Sequence, residues 1–566
     1  MPSQTPNRPK AVDVVIIGVG AVGGIMAKEL ASAGLEVVGL ERGPMLELED
    51  YGSKDSIRST VRRDKAEWVR HEPISTRATS AARSQKRYTS TPMNNVGGGL
   101  LIWTGSATRF MPSDFRVATE EIAQGGAVRA NADMTGYELA DWPISYSDLE
   151  PYYERFEWEL GVSGDGQANP FAGPREKGYP LPPLRQGGRN QLFKAACERL
   201  GYHPHPTPNG ILSQSYKPPA PYDTRIPERP GCVYCGQCNN YGCHVQAKLS
   251  TMWTAVPVAF ETGNFDLRTH SKVFRINTDK AGRATGVSYF DEDHNIVEQR
   301  ARIVVVASYI YEASRLLLLS GSGKRGLANS SGRVGKGIMA HGDVRYTGIF
   351  DDFIVNGFIG PNSGMRMDDF NANNFDHAGL GFIRGGTIGT SGGGAPVERY
   401  DAIPPSWPRW GAAYKEYFAK YYTRMADVAS HPETLAHQDN YLDLDPNLKD
   451  EWGIPLPRTT FRFHDNERKM WAYLGDVQQR ILREAGASQV WGSPTNRASR
   501  WAGGTMMGDD PASSVVNGYC QSYDVDNLFV VGASVFPTMT GYAATPTVGA
   551  LAYRTSAYIA ANDASF

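Results

Sequence analysis

An α/β chain of more than one domain, with a parallel sheet near its start and a second sheet-based unit later, is what this sequence predicts. Three observations predict it. Within the first 40 residues a β-branched run gives way to a glycine-rich turn and then to a helical stretch. A second cluster of glycines follows at 97–99. The chain has 566 residues, too many for one compact core.

The first element is the run Val14 to Ile17, read as a strand buried on both faces. Gly18, Gly20 and Gly23 then form G-x-G-x-x-G. Gly18 permits the tight turn, Gly20 lets the backbone approach a pyrophosphate, and Gly23 lets helix pack close on strand. Free N–H groups at the helix start face the phosphates. Glu41 closes the second strand 23 residues after Gly18, where its carboxylate accepts from ribose hydroxyls. The combination is a Rossmann-like dinucleotide site; the alternative is a tight βα turn without a ligand. It does not separate NAD from FAD. The run "VGGG" at 96–99 again suggests backbone pressed against a ligand.

Composition limits the partners. Hydrophobic content of 41% and aromatic content of 11% describe a globular protein. A net charge of -2 implies no basic face, which argues against nucleic acid and anionic membrane. No apolar run approaches the roughly 18 residues that a spanning helix needs. The N-terminal "MPSQTPNRPKAVDVV" has no apolar region of its own, so no signal peptide is expected.

Further along, 75–91 is polar, basic and rich in Ser and Thr, and reads as an exposed loop. Residues 278–308 have the spacing of strands joined by polar turns and then a buried strand. Trp410, Tyr414, Tyr417, Phe418 and Tyr421 recur at helical spacing and read as a core stripe. Four of the six cysteines, Cys232, Cys235, Cys238 and Cys243, lie in a C-x2-C-x2-C-x4-C run. Three readings compete there. An iron–sulfur cluster suits short thiolate spacings with glycines between them, here Gly236 and Gly242. Disulfides or free thiols form the second reading. Zinc, which favours two separated C-x2-C pairs, is the third.

The N-terminal motif, the "VGGG" segment, "DWPISYSDLEPYY" at 141–153 and "NLFVVGASVFPT" at 527–538 together resemble the glucose–methanol–choline (GMC) oxidoreductases. With the cysteine run added, the chain is similar to their bacterial dehydrogenase branch. That branch holds the flavoprotein subunits of gluconate 2-dehydrogenase, fructose dehydrogenase and FAD-dependent glucose dehydrogenase. The resemblance implies a GMC fold: a discontinuous FAD-binding domain at 1–344 and 491–566, with a cysteine-rich segment at 225–250, and a substrate domain at 345–490. It implies FAD, held non-covalently because Ile102 stands where some relatives attach the flavin to a histidine. Its cofactor contacts fall on Gly18, Gly20, Gly23, Glu41, Arg42, Gly97, Gly98, Gly99, Trp103, Val273, Ala533, Ser534, Ala544 and Thr545. It further implies a 3Fe–4S cluster, for which Cys232, Cys238 and Cys243 match best by spacing. A small signal-bearing subunit and a cytochrome c are the implied partners. The chain then stays in the cytoplasm or is exported to the periplasm with such a partner.

One part of the family pattern is broken. The family places a catalytic histidine three residues before a Gly-Gly or Gly-Ser pair, and an asparagine or second histidine about forty residues later. Here these positions hold Arg500 and Ala543. A base with a pKa near the working pH withdraws an alcohol proton best, and a guanidinium is not one. Arg500 can stabilise an alkoxide or clamp a carboxylate. Tyr542, His341 and His464 are the candidate replacement bases, each also readable as structural. The expected function is therefore FAD-dependent hydride removal from a hydroxyl of a sugar, sugar acid, glycoside or aromatic alcohol, with electrons relayed to an external acceptor. The alternative is a flavoprotein of this fold that eliminates, isomerises or desaturates, or a degenerate subunit.

Overall fold

A computed structural model describes residues 8–51, 72–89, 93–238, 241–321, 325–357, 359–392, 399 and 403–566. The chain opens as β1 (Val12–Ile17), α1 (Ala21–Ser32) and β2 (Val37–Leu40). Val14, Val15 and Ile16 are fully buried, as a strand covered on both faces requires. Next come β3 (Glu72–Arg77), β4 (Gln85–Thr89), α2 (Tyr146–Leu160), α3 (Gly188–Arg199) and the short β5 (His205–Pro206). Helix α2 starts where Ser145 and Asp148 form a reciprocal capping box, inside the "DWPISYSDLEPYY" motif.

The middle of the chain contributes β6 (Phe265–Arg268), β7 (Lys272–Thr278), β8 (Ala284–Phe290), β9 (Ile296–Val306) and α4 (Ile310–Leu319). Then follow β10 (Met339–Ile349), β11 (Met365–Met367), β12 (Gly386–Ser391), α5 (Gly411–Tyr421) and β13 (Met425–Pro432). The last elements are β14 (Tyr441–Lys449), β15 (Pro455–Thr460), α6 (Asp465–Glu484), β16 (Gln489–Ala502), β17 (Leu528–Val530) and α7 (Thr545–Ala561).

Two large sheets organise most of these strands, and β14, β15, β3 and β4 form a separate four-stranded sheet in that order. The first has the order β6-β2-β1-β9-β8-β7, with β17 added to β9. Strands β6, β2, β1, β9 and β17 run parallel, whereas β8 and β7 are antiparallel additions. Strand β9 serves both parts. Its first half pairs with β8 and its second half, from Ala301 to Val306, lies between β1 and β17. The second sheet is antiparallel, in the order β16-β10-β13-β12-β11-β5. One apolar core lies between the first sheet and helices α1, α2 and α7. Another joins the second sheet to Phe193 and Ala196 of α3 and to Met470, Leu474, Val477 and Ile481 of α6.

One expectation changes in part. Residues 75–77 and 85–89 are strands joined by a turn at 78–84: β3 and β4 pair antiparallel, and β3 pairs parallel with β15. The polar pattern misled because Ser75 is fully buried and its hydroxyl donates to Asp445 at 2.6 Å. A satisfied hydroxyl sits in a core that an apolar scan cannot see. Residues 90 and 91 of that stretch lie outside the described residues. The aromatic stripe does form α5, but Tyr417 alone of that helix is buried. Tyr414, Phe418 and Tyr421 pack against the same apolar cluster as Tyr417, so the stripe is a core stripe whose first residue, Trp410, is 84% exposed. Among the described residues no helix is long and apolar enough to cross a membrane.

Candidate active site

The first sheet ends in a cradle. Gly18 adopts φ +89 and its N–H donates to the Leu40 carbonyl at 2.8 Å. A Cβ on Gly23 would lie 2.0 Å from the Gly18 carbonyl oxygen, so no other residue fits there without backbone movement. The two glycine segments meet. Gly97 donates to the Val19 carbonyl at 2.8 Å, and a Cβ on Gly98 would sit 3.1 Å from the Gly20 Cα. Gly99 and Gly532 face open space. Helix α1 has no side-chain cap at Gly20, which leaves its first N–H groups free.

Around this cradle stand the other expected contacts. Glu41 is buried, and its carboxylate accepts from the N–H groups of Val19 and Gly43, each at 2.9 Å. Burial pushes its pKa up. Arg42 is committed elsewhere, donating to Asn94 and Glu312. Val273 is on β7, two residues beyond Ser271, whose N–H donates to the Glu41 carbonyl at 2.8 Å. Ala533 and Ser534 form a 3-10 turn whose carbonyls accept from Gly503 and Thr505. Ala544 and Thr545 start α7, again without a side-chain cap. Buried polar atoms without partners occur along these same segments: Asn95 Oδ1, Ser308 Oγ, Thr505 Oγ1 and Ser534 Oγ. Such orphans are rare unless a ligand serves them. The donor set fits a dinucleotide. Gly23→Ala is expected to cost about 1–3 kcal/mol of stability and to lower flavin content, read by the visible spectrum of the purified protein.

The second sheet supplies the opposite wall. Strand β10 pairs with β16 through an irregularity: Ala340 faces Trp501 and His341 faces Ser499, which leaves Arg500 as the extra residue. Arg500 has φ +53, in the left-handed region. A bulge of this kind re-aims a side chain. Its guanidinium donates to Ser499 Oγ at 3.3 Å, and no carboxylate of the described residues lies within ion-pair distance of it. Arg500 is exposed, and the charge of Asp343 acts on its guanidinium.

His341 is fully buried and donates from Nε2 to the Thr540 carbonyl at 2.7 Å. That bond fixes the tautomer: Nδ1 carries the lone pair, and it has no partner. The ring stacks on His431 at 5.6 Å and 15°. Burial, then the charge of Arg500, holds His341 at about 3. The same two causes hold His431 well below its ordinary value. Thr540 belongs to the segment before α7, and other bonds stitch that segment to the sheet. Thr387 Oγ1 donates to the Gly541 carbonyl at 2.8 Å, and the Thr434 N–H donates to the Met539 carbonyl at 3.3 Å.

Tyr542 and His464 are placed differently. Tyr542 donates its hydroxyl to Asp368 at 2.7 Å, and burial followed by the charge of Asp368 pushes its pKa well up. It is a hydrogen-bond donor, not a ready proton acceptor. His464 caps α6, stacks on His437 at 3.5 Å and meets Tyr137 edge-on at 6.0 Å. Sequence reasoning missed His431, Arg366, Asp368 and His205. Arg366 lies 5.7 Å over the Tyr542 ring and donates to Thr108 and Ser106. Asp368 Oδ1 and His205 Nε2 are buried without hydrogen-bond partners, and His205 Nε2 lies 3.7 Å from Asp368 Oδ2. These residues come from separate strands and loops, and no local motif marks them.

The cysteine segment adjoins the second glycine run. None of the six cysteines is in a disulfide. Cys238 is buried, Cys232 and Cys243 are partly buried and Cys235 is exposed. The Tyr234 N–H points at Cys232 Sγ at 3.3 Å. Among the described residues, which include all four, no three of these sulfurs lie within 4.8 Å of one another. A zinc tetrahedron needs edges of about 3.8 Å, so the spacing is wide for zinc. Lys248 ties this segment to the glycine run, donating to the carbonyls of Trp103 (2.9 Å), Cys238 (2.6 Å) and Tyr241 (2.8 Å).

Comparison with known proteins gives consistent results. Two family profiles described as GMC oxidoreductase match residues 137–343 and 436–552. The chain is 32% identical to the gluconate 2-dehydrogenase flavoprotein of Pantoea cypripedii, covering 97% of this chain and 93% of the relative. It is 25% identical to the fructose dehydrogenase large subunit of Gluconobacter japonicus, covering 97% of each. The fold is similar to that of pyridoxine 4-oxidase from Mesorbium loti, with a TM-score of 0.61 at 15% identity, covering 96% and 98% of the two chains.

Proposed function

Because the chain belongs to the GMC oxidoreductase family and is a dehydrogenase acting on CH–OH groups, we propose that it oxidises a hydroxyl with His341 as the proton acceptor and Arg500 as the electrostatic partner. Residues 1–344 and 491–566 hold FAD non-covalently, and 345–490 face the substrate. The observation that carries the reading is the unpartnered Nδ1 of His341, with its tautomer set by Thr540, on a strand pair whose bulge presents Arg500. Gly18, Gly20, Gly97 and Gly98 would hold FAD, which would supply the hydride acceptor.

The protein's own part is proton withdrawal. His341 at about 3 is neutral throughout the working range, so its lone pair is always available. So weak a base takes a proton only from an acidified hydroxyl. Arg500 provides this, because a guanidinium beside a developing alkoxide stabilises it. The same guanidinium can hold a carboxylate of the substrate, which favours sugar acids within the hydroxyl-bearing candidates. His431 keeps the far side of the His341 ring uncharged.

In this reading Cys232, Cys238 and Cys243 would hold an iron–sulfur cluster, with Cys235 beside them, and it would supply an electron relay. A partner subunit is supported by relatives named as a flavoprotein and a large subunit. A small signal-bearing subunit and a cytochrome c are the proposed partners, and they decide the compartment.

Anaerobic mixing with a panel of sugars, sugar acids and aromatic alcohols tests the reading: bleaching of the flavin supports it. No bleaching by any member would favour elimination, isomerisation or desaturation, because the family's histidine and asparagine positions are Arg500 and Ala543. The pH profile gives a second check. His341 contributes no acid limb to kcat/KM between pH 5 and 8, since its folded pKa lies below that window. Arg500→Gln removes a positive neighbour, so that pKa rises and a falling acid limb moves to higher pH.

A further inference from the structure

Nine lysines and arginines are buried among the described residues: Lys28, Arg109, Arg189, Arg229, Lys248, Lys272, Arg315, Arg366 and Arg384. A buried cation without a counter-charge costs several kcal/mol, and five of these have carboxylates within 4 Å. Lys28 meets Glu159, Arg109 meets Glu157, Lys272 and Arg315 share Asp450, and Arg384 bridges Asp114 and Glu433. Four have none. Arg366 is beside Tyr542. The other three surround the cysteine segment.

Lys248 spends its three N–H groups on carbonyls, including that of Cys238, and meets no carboxylate. The anionic candidates acting on it are Cys238, Cys243 and Cys235. Arg229 donates to the Leu160 carbonyl at 2.5 Å, while its Nε and Nη1 are buried and unpartnered. Its leading anionic neighbour is Cys243. Arg189 donates to the carbonyls of Gly357 and Pro361, with Nε unpartnered. It feels Asp427 first, which Arg399 already engages, and Cys238 after it.

Three buried positive charges therefore enclose thiols that, left protonated, would be neutral. That arrangement balances only when the sulfurs are thiolates or carry an anionic group. We propose that Lys248 and Arg229, with Arg189 behind them, are the counter-charges of the cysteine site, and that they set how readily the group held there accepts an electron. Each added electron makes the group more negative, and nearby cations stabilise that reduced form. Lys248 also fixes the distance to the flavin side, because it bonds Trp103 and Cys238 together. The inference rests on the iron–sulfur reading.

The test compares anaerobically purified wild type with Lys248→Met, Lys248→Arg and Arg229→Gln. Iron and acid-labile sulfide per flavin are measured first, and then the EPR-monitored redox titration. Both neutral variants are expected to keep iron and to show the reduced-to-oxidised ratio falling by about tenfold or more at fixed solution potential. Lys248→Arg restores it. Titrations that superimpose on wild type, with iron retained, overturn the inference while leaving the cluster standing. Loss of iron in Lys248→Met, with Arg229→Gln titrating as wild type, also overturns it, because Lys248 would then be only a tie between loops. Iron absent from the wild type defeats the cluster reading, and the counter-charge inference falls with it.

Discussion

His341→Ala is expected to slow substrate-dependent flavin reduction by about 10²–10⁴-fold while leaving the protein yellow. The size follows from the role. Removing a positioned base leaves FAD, Arg500 and substrate binding in place but gives the hydroxyl proton no acceptor within the wall. The side chain also holds Thr540 by a 2.7 Å bond, so a purely structural effect has to be separated. His341→Gln does this, because its amide can still donate to the Thr540 carbonyl but is not basic. If the proposal holds, Gln and Ala variants are slowed alike, chiefly in kcat. Recovery of most of the rate in the Gln variant would reduce His341 to a positioning residue and reopen the search for the base.

Arg384→Met is expected to cost about 3–5 kcal/mol of stability, seen as a lowered unfolding midpoint of the flavin-loaded protein. Arg384 is fully buried and joins two distant segments. Its Nη2 meets Asp114 at 3.0 Å and its Nε meets Glu433 at 2.9 Å. Glu433 in turn accepts from the Ala372 N–H at 2.9 Å. Burial holds both carboxyls above their usual range even with the guanidinium present. Without it two carboxylates face each other in the interior. Arg384 itself sits at φ +63, a conformation that survives only where surrounding contacts impose it. The loss is pH dependent with a definite sign. A carboxyl whose folded pKa is raised costs nothing below its unfolded pKa of about 4. It costs progressively more as pH rises toward the folded value. The variant should therefore recover part of its deficit on acidification from pH 8 to pH 5.

Much of the nucleotide cradle was legible because its determinants are local. Gly18, Gly20 and Gly23 act through their own backbone, and the structure brings them against Gly97 and Gly98 as two facing glycine segments. The loop expected at 75–89 was misread in part because Ser75 is buried by a bond to Asp445, 370 residues away. The candidate site was half legible. Arg500 and His341 could be named, but their adjacency depends on the bulge between β10 and β16. His431 reaches the same wall from a third strand, and Tyr542 changes from a candidate base to a donor once Asp368 stands opposite it.

From residue order alone came the glycine turn, the strand–helix–strand opening and the crowding of four thiols, since each is a property of contiguous backbone. Tertiary structure decided which histidine keeps a free lone pair and which buried cations go without a carboxylate. The reason is that proton affinity and charge balance depend on distance through a poorly polarisable interior. Such distances are set by strands that meet in space after lying hundreds of residues apart.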